Sequence, residues 1–171
     1  MRNQKLTRSL QSFAALALLL VCSAGDAQTA TPARLREVKI YLVNSEAEYD
    51  AKNPLGLQAV ARKVDARSPL RAALAALVAG PTAAEEARGI RSSTYGIRFI
   101  SVKLKRGVAH AHFALPSTQG FPGDLAPAIF KEAVTKTATQ FPNVRRVVVC
   151  LDGDSNFDDE SGAPPKKCPR V

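Results

Sequence analysis

The chain holds two histidines, His110 and His112, and they stand one residue apart in "HAH". In an extended segment that spacing puts both imidazoles on one face, as in a two-histidine metal site, and a third ligand would have to come from a distant carboxylate or a cysteine. A solvated or edge strand face is expected rather than a metal centre. A second constellation, "CLDGDSNFDDESGAPPKKC" from Cys150 to Cys168, gathers acidic side chains between two cysteines. Asp152, Asp154 and Asn156 match the first three ligand positions of a calcium loop. Phe157 then stands where the sharp turn needs glycine, and Ala163 where the bidentate glutamate belongs, so calcium is not expected. Asp158, Asp159 and Glu160 read as a solvated turn, because nothing near them in the sequence points to the burial that acid–base work would require. There is no G-x-S-x-G, no glycine-rich phosphate loop and no cysteine in a reactive context. The expectation is a non-enzymatic chain with no catalytic residue, metal or cofactor.

The compartment decides what the cysteines do. Arg2, Lys5 and Arg8 precede an apolar run, "FAALALLLVC", that is too short to span a bilayer comfortably and is followed by small residues. Residues 1–27 therefore read as a signal peptide, cut after Ala27, with Gly25 and Ala27 as the small side chains flanking Asp26. Acylation of Cys22 is the lipoprotein alternative, disfavoured by the bulk of Val21, and an uncleaved anchor is the other. Either would be the chain's one link to a membrane. The protein is expected to be exported, to a periplasmic or extracellular place in the cell envelope. Cys22 leaves with the signal peptide, so Cys150 and Cys168 remain as an even pair in an oxidising compartment and a disulfide between them is expected. It would contribute roughly 3 kcal/mol by constraining the unfolded chain. The alternative is that Cys150 is a small buried hydrophobe at a strand end and Cys168 a free tail thiol. Export removes three bases and one acid, lowering the formal net charge of +9 by two and leaving the remainder basic.

What is left suffices for one domain and not for two. Residues 28–36 read as a linker, 37–153 as the domain, and 154–171 as an acidic and basic tail tied back by the disulfide. "EVKIYLVN" (Glu37 to Asn44) and "GLQAVARKV" (Gly56 to Val64) alternate as paired half-buried strands. The first is a plausible sheet edge, blocked by Glu37 and Lys39. Ser68-Pro69 opens a helix with serine at the cap, and Gly80-Pro81 closes it with a left-handed glycine. Thr82 and Glu85 form a capping box. "IRFISVKLK" and "GVAHAHFAL" meet at Lys105-Arg106-Gly107 as a hairpin. Asp124 caps a helix running to about Gln140, and "VRRVVVCLDG" closes the domain. Its valine run does not alternate, so this strand is expected to be interior and covered on both faces. The order β-β-α-β-β-α-β, with helices packed on one face of a mixed sheet, is an α+β sandwich.

The stretch from Leu70 to Leu115, "LRAALAALVAGPTAAEEARGIRSSTYGIRFISVKLKRGVAHAHFAL", resembles the GerMN domain of sporulation and spore germination proteins. The matching features are the Ala-Leu-rich helix ending in Gly80-Pro81, the small turn with glutamate and glycine, and two strands meeting at Gly107. "TQFP" at Thr139 to Pro142 and the valine-rich strand from Val147 into Asp152-Gly153 follow in the same order. The family usually has a proline where Tyr95 stands and an acidic residue near His112. The resemblance covers roughly Val38 to Gly153. It implies a non-enzymatic extracytoplasmic module, similar in fold to the ring-building motif of secretion-type assemblies, that works through protein–protein interaction or self-assembly in the envelope.

A binding module for an anionic envelope polymer, such as a peptidoglycan-associated glycan, is the alternative. Basic residues recur in "KLKR" and "VRR", and Lys103, Lys105 and Arg106 at the hairpin, with Arg145 and Arg146 at the last strand, are the best candidates for an anionic contact patch. They are not interleaved with aromatics, so nucleic acid is not an expected partner.

Overall fold

The computed structural model describes residues 34–46, 52–116, 120–159, 161 and 163–170. The expected signal peptide, its cut after Ala27, Cys22 and Glu160 lie outside them.

Two long strands come first, β1 (Leu35–Asn44) and β2 (Leu57–Asp65). They pair antiparallel over nearly their whole length, and Val38, Ile40 and Leu42 all point into the core. Strand β1 starts at Leu35, so the expected linker gives way to structure two residues early. Helix α1 (Pro69–Ala79) follows, burying Ala73, Leu74 and Leu77. Ser68 holds the cap position without a side-chain capping bond; its carbonyl instead accepts from the Ala72 N–H. Gly80 has the positive φ the helix end needs (79°), but its ψ of −162° is extended, not left-handed helical.

A single turn, α2 (Ala83–Glu86), carries the expected capping box: the Thr82 N–H donates to the Glu85 carboxylate and the Thr82 oxygen accepts from the Glu85 N–H. Strand β3 (Ile90–Arg91) is too short for periodicity to reveal. The hairpin of β4 (Arg98–Lys105) and β5 (Val108–Ala114) has a register shift between Phe99 and Ser101, where Ile100 bulges out and is 48 % exposed. Helix α3 (Ala126–Thr139) begins after Leu125, so Asp124 is not its cap; Pro127 sits in the first turn, where its missing N–H costs no helical bond. Strand β6 (Arg146–Leu151) ends the set.

These strands form two three-stranded sheets, in the orders β2-β1-β3 and β4-β5-β6. The first is wholly antiparallel. The second is mixed, because α3 serves as the crossover that lets β6 run parallel to β5. Helix α1 packs on β1, β2 and β4, and α3 packs on β1, β6 and α1, so the two helices join the sheets through a common core. The α+β class and the single domain hold.

Two strand placements differ from expectation. Strand β6 lies at a sheet edge, not in its interior. Its valines reflect burial under α3 on one face, while on the other Cys150 is covered at the point where Cys168 meets it. Strand β1 is the central strand of its sheet, yet β3 covers its second edge only at Val43 and Asn44. The rest of that edge is sealed by side chains rather than by the charges of Glu37 and Lys39. The Gln140 amide accepts from the Lys39 N–H at 2.8 Å and donates to the Lys39 carbonyl at 2.6 Å, as a neighbouring strand would. The Ser93 hydroxyl donates to the Tyr41 carbonyl at 2.9 Å.

The core is aromatic where the second sheet meets α3. Phe130 is fully buried and stands edge-on to Phe113, with ring centroids 5.0 Å apart. Phe121 and Phe157 stack beside it.

Candidate functional site

The outer face of the second sheet carries most of the chemistry-bearing residues. Alternation along β5 sends Ala109, Ala111 and Phe113 into the core and leaves Val108, His110, His112 and Ala114 on the opposite side. Register then sets their neighbours: Lys105 and Arg146 flank Val108, Lys103 and Val148 flank His110, and Ser101 and Cys150 flank His112.

The hairpin turn draws the basic residues together. Arg106 (φ 52°) and Gly107 (φ 79°) both occupy the left-handed region that a two-residue hairpin requires. The Gly107 carbonyl accepts from the N–H groups of Arg145 and Arg146, and the Arg145 guanidinium donates to the Arg106 carbonyl at 2.8 Å. Lys105, Arg106, Arg145 and Arg146 thus form one exposed cluster at the end of the sheet, with Lys103 two residues further along β4. A side chain at position 107 is strained by the positive φ, and a Cβ there, 2.5 Å from Arg145 Nε, would push that arginine aside.

His110 is not on a solvated edge. It is nine-tenths buried on a central strand, and its Nδ1 has no hydrogen-bond partner among the described residues. Burial, reinforced by His112, Arg146 and Lys105, pushes its pKa below the usual imidazole value, which keeps it neutral at pH 7. His112 is half-buried, and its ring lies beside Cys150 and Cys168; one ligand atom from each of the three falls within 4.8 Å of the others. The two cysteines have Cα atoms 5.9 Å apart, within the span of a disulfide.

The acidic loop is used for scaffolding. Asp154 accepts from the backbone N–H groups of Asn156 and Lys166, and Asp158 binds Lys131 of α3 through both oxygens at 2.7 Å. Asp159 accepts from Ser161 and Asn156, and the Ser161 hydrogen bonding holds its carboxyl below the usual range. The Asp152 carboxylate accepts from the Leu115 N–H. Phe157, in the slot a calcium loop reserves for glycine, packs against Phe121 and Phe130. The described residues after 153 are therefore docked: Asp154 bridges Lys167, and the Cys168 N–H donates to the Gly153 carbonyl.

On the first sheet, Arg62 of β2 grips Glu85 with two bonds of 2.7 and 2.6 Å and reaches the Gly80 carbonyl at 3.3 Å. The Arg62 bond, opposed by burial and aided by Thr82, brings the Glu85 carboxyl down to about 2. This pair fastens α2 and the end of α1 to the sheet.

Sequence reasoning missed one surface. A groove of about 450 Å³ runs between the start of α1 (Leu70, Arg71), β4 (Val102, Leu104) and the bend after α3 (Phe141, Pro142), with Arg36 at its side. The Arg36 guanidinium lies 5.5 Å from the Phe141 ring centre, and Arg71 lies 5.3 Å from that of Phe99. Its lining comes from four separate segments, so no local pattern marks it.

Residues 39–156 match the family model described as Sporulation and spore germination (Germane). No curated protein matches the chain. Among solved structures, the tandem GerMN domains of the sporulation protein GerM from Bacillus subtilis align over 85 % of this chain and 49 % of theirs, at 19 % identity and a TM-score of 0.53. The chain thus spans about half of that tandem structure. The first GerMN domain of the same protein aligns over 78 % of this chain and 95 % of its own, at 21 % identity and a TM-score of 0.52.

Proposed function

Because the chain belongs to the sporulation and spore germination (GerMN) family, we propose that it is an exported, non-enzymatic envelope module that works by holding another protein or a second copy of itself. The disulfide between Cys150 and Cys168 is its resting state in that oxidising place. One observation carries the reading: the groove combines exposed Leu104 and half-buried Leu70 and Val102 with two arginines parked on aromatic rings, the composition of a protein-binding surface. Three carboxylates support it from the other side. Glu85, Asp154 and Asp158 are each occupied in fastening loops and edges.

Light scattering across protein concentration and salt, with crosslinking in envelope fractions, tests it. Leu104→Glu is expected to abolish a salt-insensitive oligomer or a crosslinked protein adduct while leaving the fold intact. An unchanged adduct overturns the groove as the contact surface. The second reading, an anionic envelope polymer, draws on the exposed cluster of Lys105, Arg106, Arg145 and Arg146. It would be favoured by retention on anionic glycan only at low salt that is lost in Arg145→Glu and kept in Leu104→Glu. Turnover of an ester, peptide or glycan substrate that vanishes when both histidines are changed would refute the non-enzymatic reading.

A further inference from the structure

The tail that docks after Gly153 brings Cys168 to Cys150 directly beside His112, a meeting that neither assembly nor polymer binding uses. We propose that Cys150, Cys168 and His112 form a redox-gated site for a borderline-soft divalent cation of the zinc class, closed while the cysteines are joined and opened when a thiol-class reductant separates them.

Ligand chemistry and placement both support this. Two thiolates and an imidazole are a soft donor set that selects zinc over calcium or magnesium. Around a tetrahedral zinc, sulfur and nitrogen ligands stand roughly 3.5–4 Å apart. The three donors already fall within 4.8 Å of one another, so side-chain rotation suffices to close on a metal. The backbone keeps them there without the disulfide. Strand register fixes His112 opposite Cys150, while the Asp154–Lys167 bridge, the Ser155 N–H to Lys166 carbonyl bond and the Cys168 N–H to Gly153 carbonyl bond hold the tail. Phe157 anchors the loop between them in the aromatic core. The next residue along that face, His110, is nine-tenths buried with Nδ1 lacking a partner among the described residues, so the surroundings hold a second imidazole. Water completes the fourth position.

Charge and electrons balance. Reduction breaks the sulfur–sulfur bond, taking two electrons from the reductant and two protons, and leaves two thiols. Metal binding then releases both thiol protons to solvent, and the two thiolates neutralise the charge of the dication.

The test uses the full chain, reduced anaerobically with a phosphine and titrated with cobalt(II) as a spectroscopic stand-in for zinc. One equivalent is expected to produce a near-ultraviolet thiolate-to-cobalt band with tetrahedral bands in the visible, all removed by added zinc. The oxidised chain, identical in sequence, should show neither. Cys168→Ser should lose the band, and His112→Ala or His112→Gln, shown folded by circular dichroism, should bind roughly tenfold or more weakly. A reduced wild-type chain without the thiolate band overturns the proposal. So do folded His112 variants that bind cobalt as tightly as wild type, which would leave only two thiols acting alone.

Discussion

The two sheets are equal in strand number and opposite in how they spend their polar side chains. In the first, Gln140, Ser93 and the Arg62–Glu85 pair are turned onto backbone or onto each other, closing edges and fastening short elements. In the second, the outer face collects an exposed basic cluster, two imidazoles and, where the tail is tied to β6, two sulfurs beside His112. The contrast teaches that residue type alone does not mark a site. A carboxylate in a capping box and one in a loop are both structural here, whereas a histidine in an otherwise plain strand becomes interesting through its neighbours.

The two sheets share one support. Phe130 is fully buried where α3 meets the second sheet, and α3 also packs on β1. Phe130→Ala is expected to cost about 3–5 kcal/mol. Both sheets should be lost in one transition, read by urea unfolding with a near- and a far-ultraviolet probe; separate transitions would mean that the sheets are independent units.

Glu85→Gln is next, at about 2–3 kcal/mol for stranding Arg62 beside its lost partner. Because the folded carboxyl is depressed to about 2 from an ordinary 4.5, the stability it contributes is present above about pH 4.5 and lost as pH falls through about 2. The gap between wild-type and variant urea midpoints should therefore narrow steadily from pH 5 to pH 2.

On the second sheet, Gly107→Ala forces a side chain into a left-handed turn and against Arg145, for about 1–3 kcal/mol. Nuclear magnetic resonance should place the perturbation at the hairpin and the start of β6, with β1 and β2 undisturbed. Gln140→Ala should have the smallest effect on stability, about 1 kcal/mol. Hydrogen exchange at the Lys39 amide should rise with it, and a rise no greater than at other β1 amides would show that Gln140 does not seal that edge.

Much of the architecture was legible because its causes are local. The alternation in β1, β2, β4 and β5, the Thr82–Glu85 box and the Arg106-Gly107 turn are each decided within a few residues. Strand β3 was not, since two residues carry no period. Nor was the position of β6, because a valine run reports burial of faces and is silent about which strand lies alongside. Asp124 looked like a cap by type, yet Pro127 and the bend at Gly123 set the helix start later. The basic cluster could be anticipated because a hairpin turn and a strand start were both readable. The His112 cluster needed the β5–β6 register and the docked tail, neither of which a linear pattern encodes.

The bond pair between Gln140 and Lys39 spans 101 residues of chain, and that separation bears on biosynthesis. The β1–β2 hairpin is complete once residue 65 has emerged, but the side chain that covers its bare flank arrives only near the end of α3. Throughout that interval the newborn hairpin presents an open ladder to other nascent chains, so holding factors that act during synthesis would matter most for this N-terminal third.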